Sequence, residues 1–99
     1  MKVDVKVSKG MTVNMGNYEN VRPEVTLTAK DVDSDNVNQV YELLTEIADD
    51  MFNLEIAKQI DLLDSVRKTR PTRFVEIIEE RKDDIEDDIQ NLIEALKDL

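Results

Sequence analysis

The sequence contains no cysteine and no histidine. A chain without cysteine forms no disulfide, offers no thiolate to zinc and has no thiol nucleophile, and it suits a reducing cytoplasm. A chain without histidine lacks the side chain that most often acts as a general base near neutral pH. The serines therefore have no histidine partner for nucleophilic catalysis. We expect a cytoplasmic protein that is not an enzyme and carries no cofactor.

Glycine, proline and aromatic residues are scarce: the sequence has two glycines, two prolines and four aromatic residues. The two glycines do not form the glycine-rich loop that binds phosphate groups. Four scattered aromatic rings do not make a platform on which the bases of a single strand could stack. No apolar run reaches the ~18 residues that a transmembrane helix needs, and no secretory signal opens the sequence. These absences favour a soluble intracellular protein.

The first third of the 99 residues has the alternation of β-strands. Val3, Val5 and Val7 alternate with polar residues, as in a half-buried strand. The alternation resumes over 11–15 and again over 21–29. A proline at position 23 removes one amide donor, so the third strand lies at an edge of the sheet or begins at this proline. We predict a three-stranded antiparallel meander over residues 1–30.

The rest of the chain predicts two long amphipathic helices, over 33–66 and 71–99. Asp33 or Ser34 suits the N-cap of the first helix, and Pro71 suits the first residue of the second. Apolar residues of the second helix recur at steps of seven, at Ile78, Ile85, Leu92 and Leu99. The prediction is an α+β fold in a single domain, 1–99, with the meander followed by the two helices.

The lengths of these elements predict a homodimer. Strands of six residues are ~20 Å long, whereas helices of this length reach ~40 Å, so three strands leave apolar helix surface in water. A dimer through the long helices covers that surface. The alternative is a compact monomer in which the helices fold back on each other as a hairpin.

The net charge of −10 is sorted along the chain. Residues 1–30 and 65–82 are net basic, whereas 31–64 has ten acidic residues and one lysine, and 83–99 has seven acidic residues and one lysine. The acidic segments fall on the predicted helices. Such a surface attracts a basic partner and disfavours direct binding of nucleic acid.

The densest acidic run places five carboxylates in the six residues from Asp83 to Asp88. On a helix this is one charge per ~1.8 Å of axis, close to the ~1.7 Å of duplex DNA. We therefore interpret the acidic helices as a mimic of the phosphate backbone that occupies the DNA-binding surface of a basic host protein. The predicted partner-binding residues are Asp49, Asp50, Glu79, Glu80, Asp83, Asp84, Glu86, Asp87 and Asp88. The alternative is a solvated helix face, although crowding like charges costs helix stability.

Four acidic residues, Asp31, Asp33, Asp35 and Glu42, have the spacing of a calcium-binding loop. Asn36 replaces the glycine that such a loop needs at its sixth position, and a predicted strand stands where a helix should enter. This is a weak calcium candidate, and we expect no metal. The aspartates instead suit the positive end of the first helix.

A basic turn, residues 67–73, contains Arg67, Lys68, Arg70 and Arg73. It leaves two other functions open. One is an accessory nucleic-acid-binding protein that uses this turn. The other is a helical assembly or structural protein whose long helices bind partner helices.

The segment Ser8–Arg22 contains Asn14-Met15-Gly16-Asn17-Tyr18-Glu19, and Glu24-Val25-Thr26-Leu27 follows it. This stretch resembles the N-terminal segment of small bacteriophage proteins, in which an Asn-x-Gly-Asn-Tyr-Glu core links two strands. The resemblance implies a phage origin and action in the host bacterial cytoplasm. Small acidic phage proteins made during host takeover include DNA mimics, some of which occupy the nucleoid protein HU or act on host RNA polymerase. By analogy, HU is the partner that this resemblance suggests.

Overall fold

The computed structural model describes residues 1–14, 20–67 and 72–99, and it confirms the predicted α+β class. Its elements in chain order are the strands β1 (Lys2–Gly10), β2 (Val13–Asn14), β3 (Asn20–Val21) and β4 (Glu24–Asp33), a short 3-10 turn (Ser34–Asn36), and the helices α1 (Val37–Arg67) and α2 (Arg73–Lys97).

The strands form a two-stranded ribbon. β1 pairs with β4 and β2 pairs with β3, both antiparallel, with Val7 opposite Leu27 and Val13 opposite Val21. The short pair continues the register of the long pair, so β1 and β2 belong to one arm and β3 and β4 to the other. The predicted three-stranded meander is therefore wrong. Residues 8–10, which separate the first two predicted strands, are part of β1, and the second predicted strand extends the first arm rather than pairing with it.

A β-bulge interrupts the ribbon near its open end. Val5 lies opposite Ala29 and Val3 lies opposite Val32, so β4 holds one extra residue between these two pairs. Asp31 takes up the extra length with a φ of 57°, and its N–H donates to the Asp4 carboxylate at 3.1 Å. A short polar side chain tolerates this left-handed conformation better than most, and the bulge turns Val32 toward the helices.

Pro23 lies directly before β4 and is almost fully buried. Its carbonyl accepts a hydrogen bond from the Met11 N–H at 3.3 Å. Because the proline precedes β4, that strand loses no amide donor to it. This position matches the prediction that Pro23 marks the start of a strand.

Both helices begin at polar caps. Asp33, a predicted N-cap, accepts the Asp35 N–H at 3.2 Å and starts the 3-10 turn that leads into α1. Thr72 caps α2 and accepts the Val75 N–H at 3.4 Å. Since Thr72 has an extended backbone, the second helix begins later than the predicted residue 71. Pro71 itself lies outside the described residues.

Helix α1 packs against the ribbon on one side and against α2 on another. One core cluster joins Val5 and Val32 of the ribbon to Val40 and Leu44 of α1. A second cluster joins Val21 of β3 to Ile60 of α1 and Val75 of α2. The two helices thus form the hairpin of the alternative prediction.

The ribbon is too narrow to cover both helices. The two strands of the ribbon lie only ~4.8 Å apart, whereas the axes of two packed helices lie roughly 8–10 Å apart. Several apolar residues of α2 are consequently only half-buried: Ile85, Ile89, Leu92, Ile93 and Leu96.

Candidate functional site

The outward side of α2 carries a ridge of acidic side chains. Its buried residues, Val75 and Ile78, define the side that faces the core. At 100° per residue, Glu80, Asp83, Asp84 and Asp87 project from the opposite side. All four are exposed, and within the described parts of the chain none has an ion-pair partner. We call these four residues the acidic ridge.

The carboxylates of the acidic ridge are unevenly spaced along the helix axis, with steps of ~4.5, ~1.5 and ~4.5 Å from Glu80 to Asp87, and only their mean spacing can be compared with that of DNA. From Glu80 to Asp87 the helix rises ~10 Å, which gives one charge per ~3.5 Å. A single DNA strand carries one phosphate per ~3.4 Å of helix axis. The ridge therefore matches the mean charge density of one strand but not the even spacing of its phosphates. The predicted match to the charge density of duplex DNA counted all five carboxylates of residues 83–88, and these side chains project in several directions from the helix.

The other predicted residues of α2 lie on its flanks. Glu79 lines a cleft with Lys82, and helix periodicity places Glu86 on the same flank. Asp88 lies on the opposite flank, where it meets Asp50 of α1. The structure therefore brings four of the nine predicted residues onto the outward side of α2.

Asp49 of α1 lies toward the ribbon rather than toward the acidic ridge. Its carboxylate forms an ion pair with the Lys9 ammonium of β1. The same ammonium lies 5.2 Å from the centre of the buried Phe52 ring, within cation–π range. Asp49 thus helps to hold the ribbon on α1, and Lys9 offsets its charge.

Asp50 and Asp88 form a pair of carboxyl groups between the two helices. The Asp50 Oδ2 is buried, and no donor within the described residues reaches it. Two ionised carboxylates only accept hydrogen bonds, so a bond between Asp50 and Asp88 requires a proton on one of them. Burial, and then the hydrogen bond and the charge of Asp88, raise the pKa of Asp50 from 3.8 to about 7. Asp49 and Glu46 raise this pKa further by like-charge repulsion.

A small cleft opens beside this pair. It has a volume of about 370 Å³ and is lined by Asp50, Arg81, Asp84, Ile85 and Asp88. The cleft joins the carboxyl pair to the acidic ridge through Asp84. Since Asp50 holds a proton over much of the range below pH 7, its contribution to the negative surface is smaller than the sequence suggests.

The residues of the calcium candidate serve the backbone instead. Asp31 occupies the bulge, and Asp33 caps the 3-10 turn. Within residues 1–14, 20–67 and 72–99, no three acidic side chains come together as metal ligands. Asp31, Asp33, Asp35 and Glu42 therefore do not form the calcium loop that their spacing suggested.

Most of the basic turn lies outside the described residues, which exclude 68–71. At its far end, the Arg73 guanidinium lies 3.5 Å from the Glu76 carboxylate, one helical turn further along α2. This exposed pair offsets one acidic charge near the start of the helix.

A larger cleft, which the sequence did not reveal, lies between β4 and the two helices. Its volume is about 610 Å³, and its walls include Val25 of β4, Leu54 of α1 and Ile78 of α2. Glu79 and Lys82 also line it. The cleft lies beside β4, above the gap between the two helices. Its walls are partly apolar because the ribbon is too narrow to cover the apolar side chains there.

Comparison with protein-family models, with curated proteins and with solved structures found no match. Neither described helix is long and apolar enough to cross a membrane.

Proposed function

We propose that this protein is an acidic mimic of DNA that binds the DNA-binding surface of a basic host protein, such as an HU-like nucleoid protein, and excludes DNA from it. The observation that carries the proposal is the acidic ridge on α2. Four exposed carboxylates lie on the outward side of one helix, and their mean spacing along its axis is close to that of phosphates along a single strand.

The cost of the ridge supports a functional origin. Glu80 and Asp84 are four residues apart, as are Asp83 and Asp87, so each pair places like charges on adjacent turns. Such a pair destabilises a helix by roughly 0.2–0.5 kcal/mol. Alternating signs would give the same solubility without this cost. Binding of a lysine- and arginine-rich surface offsets the repulsion because it places positive charge between the carboxylates.

The position of the ridge also suits a competitor. Three of its residues lie on the side of α2 that faces away from α1 and the ribbon, and Asp84 opens onto the cleft beside Asp50. All four are exposed, so a partner reaches them without any rearrangement of the fold. The flanking residues Glu79, Glu86 and Asp88 add negative charge on both sides. Long-range attraction by such a surface accelerates association, and salt weakens it.

A competition assay tests the proposal. Labelled duplex DNA is bound to purified HU at low salt, and the protein is added at increasing concentration. We expect the wild-type protein to release the DNA, with a midpoint concentration that rises steeply with added salt. In a mobility-shift assay without HU, we expect the protein to leave DNA and RNA unshifted.

Two matched variants identify the surface that acts. The first neutralises the ridge with Glu80→Gln, Asp83→Asn, Asp84→Asn and Asp87→Asn. The control makes the same change in net charge elsewhere, with Glu24→Gln, Asp35→Asn, Glu42→Gln and Glu46→Gln, all at exposed positions. We expect the ridge variant to lose competition and the control to keep most of it. Equal loss in both variants would show that net charge alone acts. Failure of the wild-type protein to displace DNA would refute the proposed function for HU.

A further inference from the structure

The outer edge of β1 is open to another strand. Within the described residues the sheet has two strands, so β1 has β4 as its one strand neighbour. In an edge strand every second residue points its N–H and C=O groups away from that neighbour. Natural edges are usually protected by charged side chains, and β1 carries Lys2, Asp4 and Lys6 on its exposed face. The order of these charges decides which partner the edge can accept.

We propose that the β1 edge is a dimer interface, in which β1 pairs antiparallel with β1 of a second copy about a two-fold axis at Val5. In this register Asp4 lies opposite Lys6 of the second copy, and Lys6 lies opposite Asp4 of the second copy. Val5 lies opposite its own equivalent, and Val3 lies opposite Val7 of the second copy. Both faces of the joined sheet are then complementary, because opposite charges meet on one face and valines meet on the other.

Neighbouring registers lack this complementarity. An axis at Lys6 places the two Lys6 side chains opposite each other. An axis at Asp4 places Asp4 opposite Asp4 and Lys2 opposite Lys6. If the pairing shifts by one residue, each valine of one strand lies opposite a charged or polar residue of the other strand. An axis at Val3 also sets Lys2 opposite Asp4, but it pairs only residues 1–5, whereas the axis at Val5 pairs residues 2–8. The alternation and the length of β1 together favour the axis at Val5.

The helices allow this arrangement on the β1 side of the ribbon. Two ribbons side by side are displaced by two strand spacings, which puts the two α1 helices about 10 Å apart, a normal packing distance. The β4 edge differs, because β4 and α2 share a cleft through Val25 and Ile78. Pairing through β4 would force the α1 helix of the second copy into the position of α2.

An exposed tyrosine marks the same interface on α1. Tyr41, Thr45 and Asp49 form a row at four-residue intervals, and Thr45 Oγ1 donates to the Tyr41 carbonyl at 2.8 Å. The ion pair between Asp49 and Lys9 places this row beside β1. Tyr41 is 54% exposed and follows Val40, which packs in the same cluster as Val5. A two-fold axis at Val5 therefore brings Tyr41 close to its equivalent in the second copy.

The dimer does not depend on the proposed mimicry of DNA. It leaves the two α2 helices at the outer edges of the assembly, with both acidic ridges accessible. Because each copy carries a net charge of −10, long-range repulsion opposes association. We therefore expect added salt to favour the dimer and to weaken any complex with a basic partner, so the two proposals respond to salt with opposite signs.

Sedimentation of the full chain over a range of concentrations tests the interface through a charge swap. We expect a dimer for the wild-type protein. Lys6→Asp and Asp4→Lys should each weaken dimerisation at least about tenfold, because each places two pairs of like charges across the axis. The double variant that carries both substitutions should restore the dimer relative to Asp4→Lys, which equally lacks the carboxylate that accepts the Asp31 N–H in the bulge. Lys30→Asp on β4 is the matched control for Lys6→Asp, and we expect it to leave the dimer intact.

A cross-linking measurement tests the axis directly and independently of charge. The chain has no cysteine, so Val5→Cys introduces one thiol that lies opposite its own equivalent and should form an intermolecular disulfide on mild oxidation. Val7→Cys, opposite Val3 of the second copy, should not. A monomer at all concentrations would overturn the proposal, as would equal effects of Lys6→Asp and Lys30→Asp or a charge swap that fails to restore the dimer. Circular dichroism confirms that each variant is folded.

Discussion

The carboxyl pair between α1 and α2 predicts that the protein loses stability as the pH rises toward neutrality. The pKa of Asp50 is about 7 in the folded protein, against 3.8 as its ordinary value. Between about pH 4 and pH 7, the folded state therefore binds more protons than the unfolded state. The free energy of unfolding falls as pH rises through this window, and the stabilising contribution of the proton is complete only below pH 4.

The magnitude follows from the size of the shift. Each pKa unit corresponds to 1.36 kcal/mol, so a shift of about three units gives a loss on the order of 4 kcal/mol by pH 8. The groups that face Asp50 act in the same direction: Asp88 from α2, and Asp49 and Glu46 from α1. The cleft beside the pair is open to solvent and Asp88 is exposed, so water screens these interactions. We therefore take ~4 kcal/mol as an upper value.

Asp50→Asn tests this reasoning because asparagine stays neutral and can donate a hydrogen bond to Asp88. Urea unfolding at pH 5 and pH 8, followed by circular dichroism, gives the free energy of unfolding of each variant. We expect the wild-type protein to lose stability between the two pH values and Asp50→Asn to lose much less. Asp83→Asn, an exposed change of the same charge, should keep the wild-type difference. An equal pH difference in the wild-type protein and Asp50→Asn would refute the assignment.

Three further predictions concern the fold, each measured by urea unfolding at fixed pH. Asp64→Ala should cost about 1–3 kcal/mol, because the buried Asp64 carboxylate accepts the Thr72 N–H at 3.0 Å, and a cost below 0.5 kcal/mol would contradict this role. Ile47→Ala should cost about 2–5 kcal/mol, because Ile47 is 2% exposed, whereas the same change at the 59%-exposed Leu62 should cost far less. Asp31→Val should cost about 1–2 kcal/mol more than Asp31→Gly, because the φ of 57° disfavours a branched side chain, and equal stabilities would argue against the bulge.

Periodicity predicted the helices and the inward face of the strands well, because both depend on local spacing. Val5 and Val7 face the helices as their alternation predicts, and Asp33 caps the entry to α1. Pairing between strands depends on contacts that are distant in sequence, and there the prediction of a meander was wrong. A local signal for the bulge was nevertheless present: Ala29 and Val32 are both apolar but three residues apart, which alternation alone cannot place on one face.

The candidate site was predictable in composition but not in geometry. The count of acidic residues on α2 identified the surface, and helical spacing alone could have separated the outward row from Glu79, Glu86 and Asp88. The roles of Asp49 and Asp50 could not be deduced in this way. They depend on Lys9 and Asp88, which other elements bring near α1, and a sequence pattern within one helix carries no information about them.

The central position of α1 has a consequence for how the molecule opens. Since α1 contributes to both core clusters, and each cluster also contains residues of the ribbon and of α2, the loss of either partner leaves α1 partly covered by the other. Amide hydrogen exchange should then report two separate openings of lower free energy, one for the hairpin and one for the carboxyl-terminal helix. The slowest amides should lie in the middle of α1, where exchange requires both to have left.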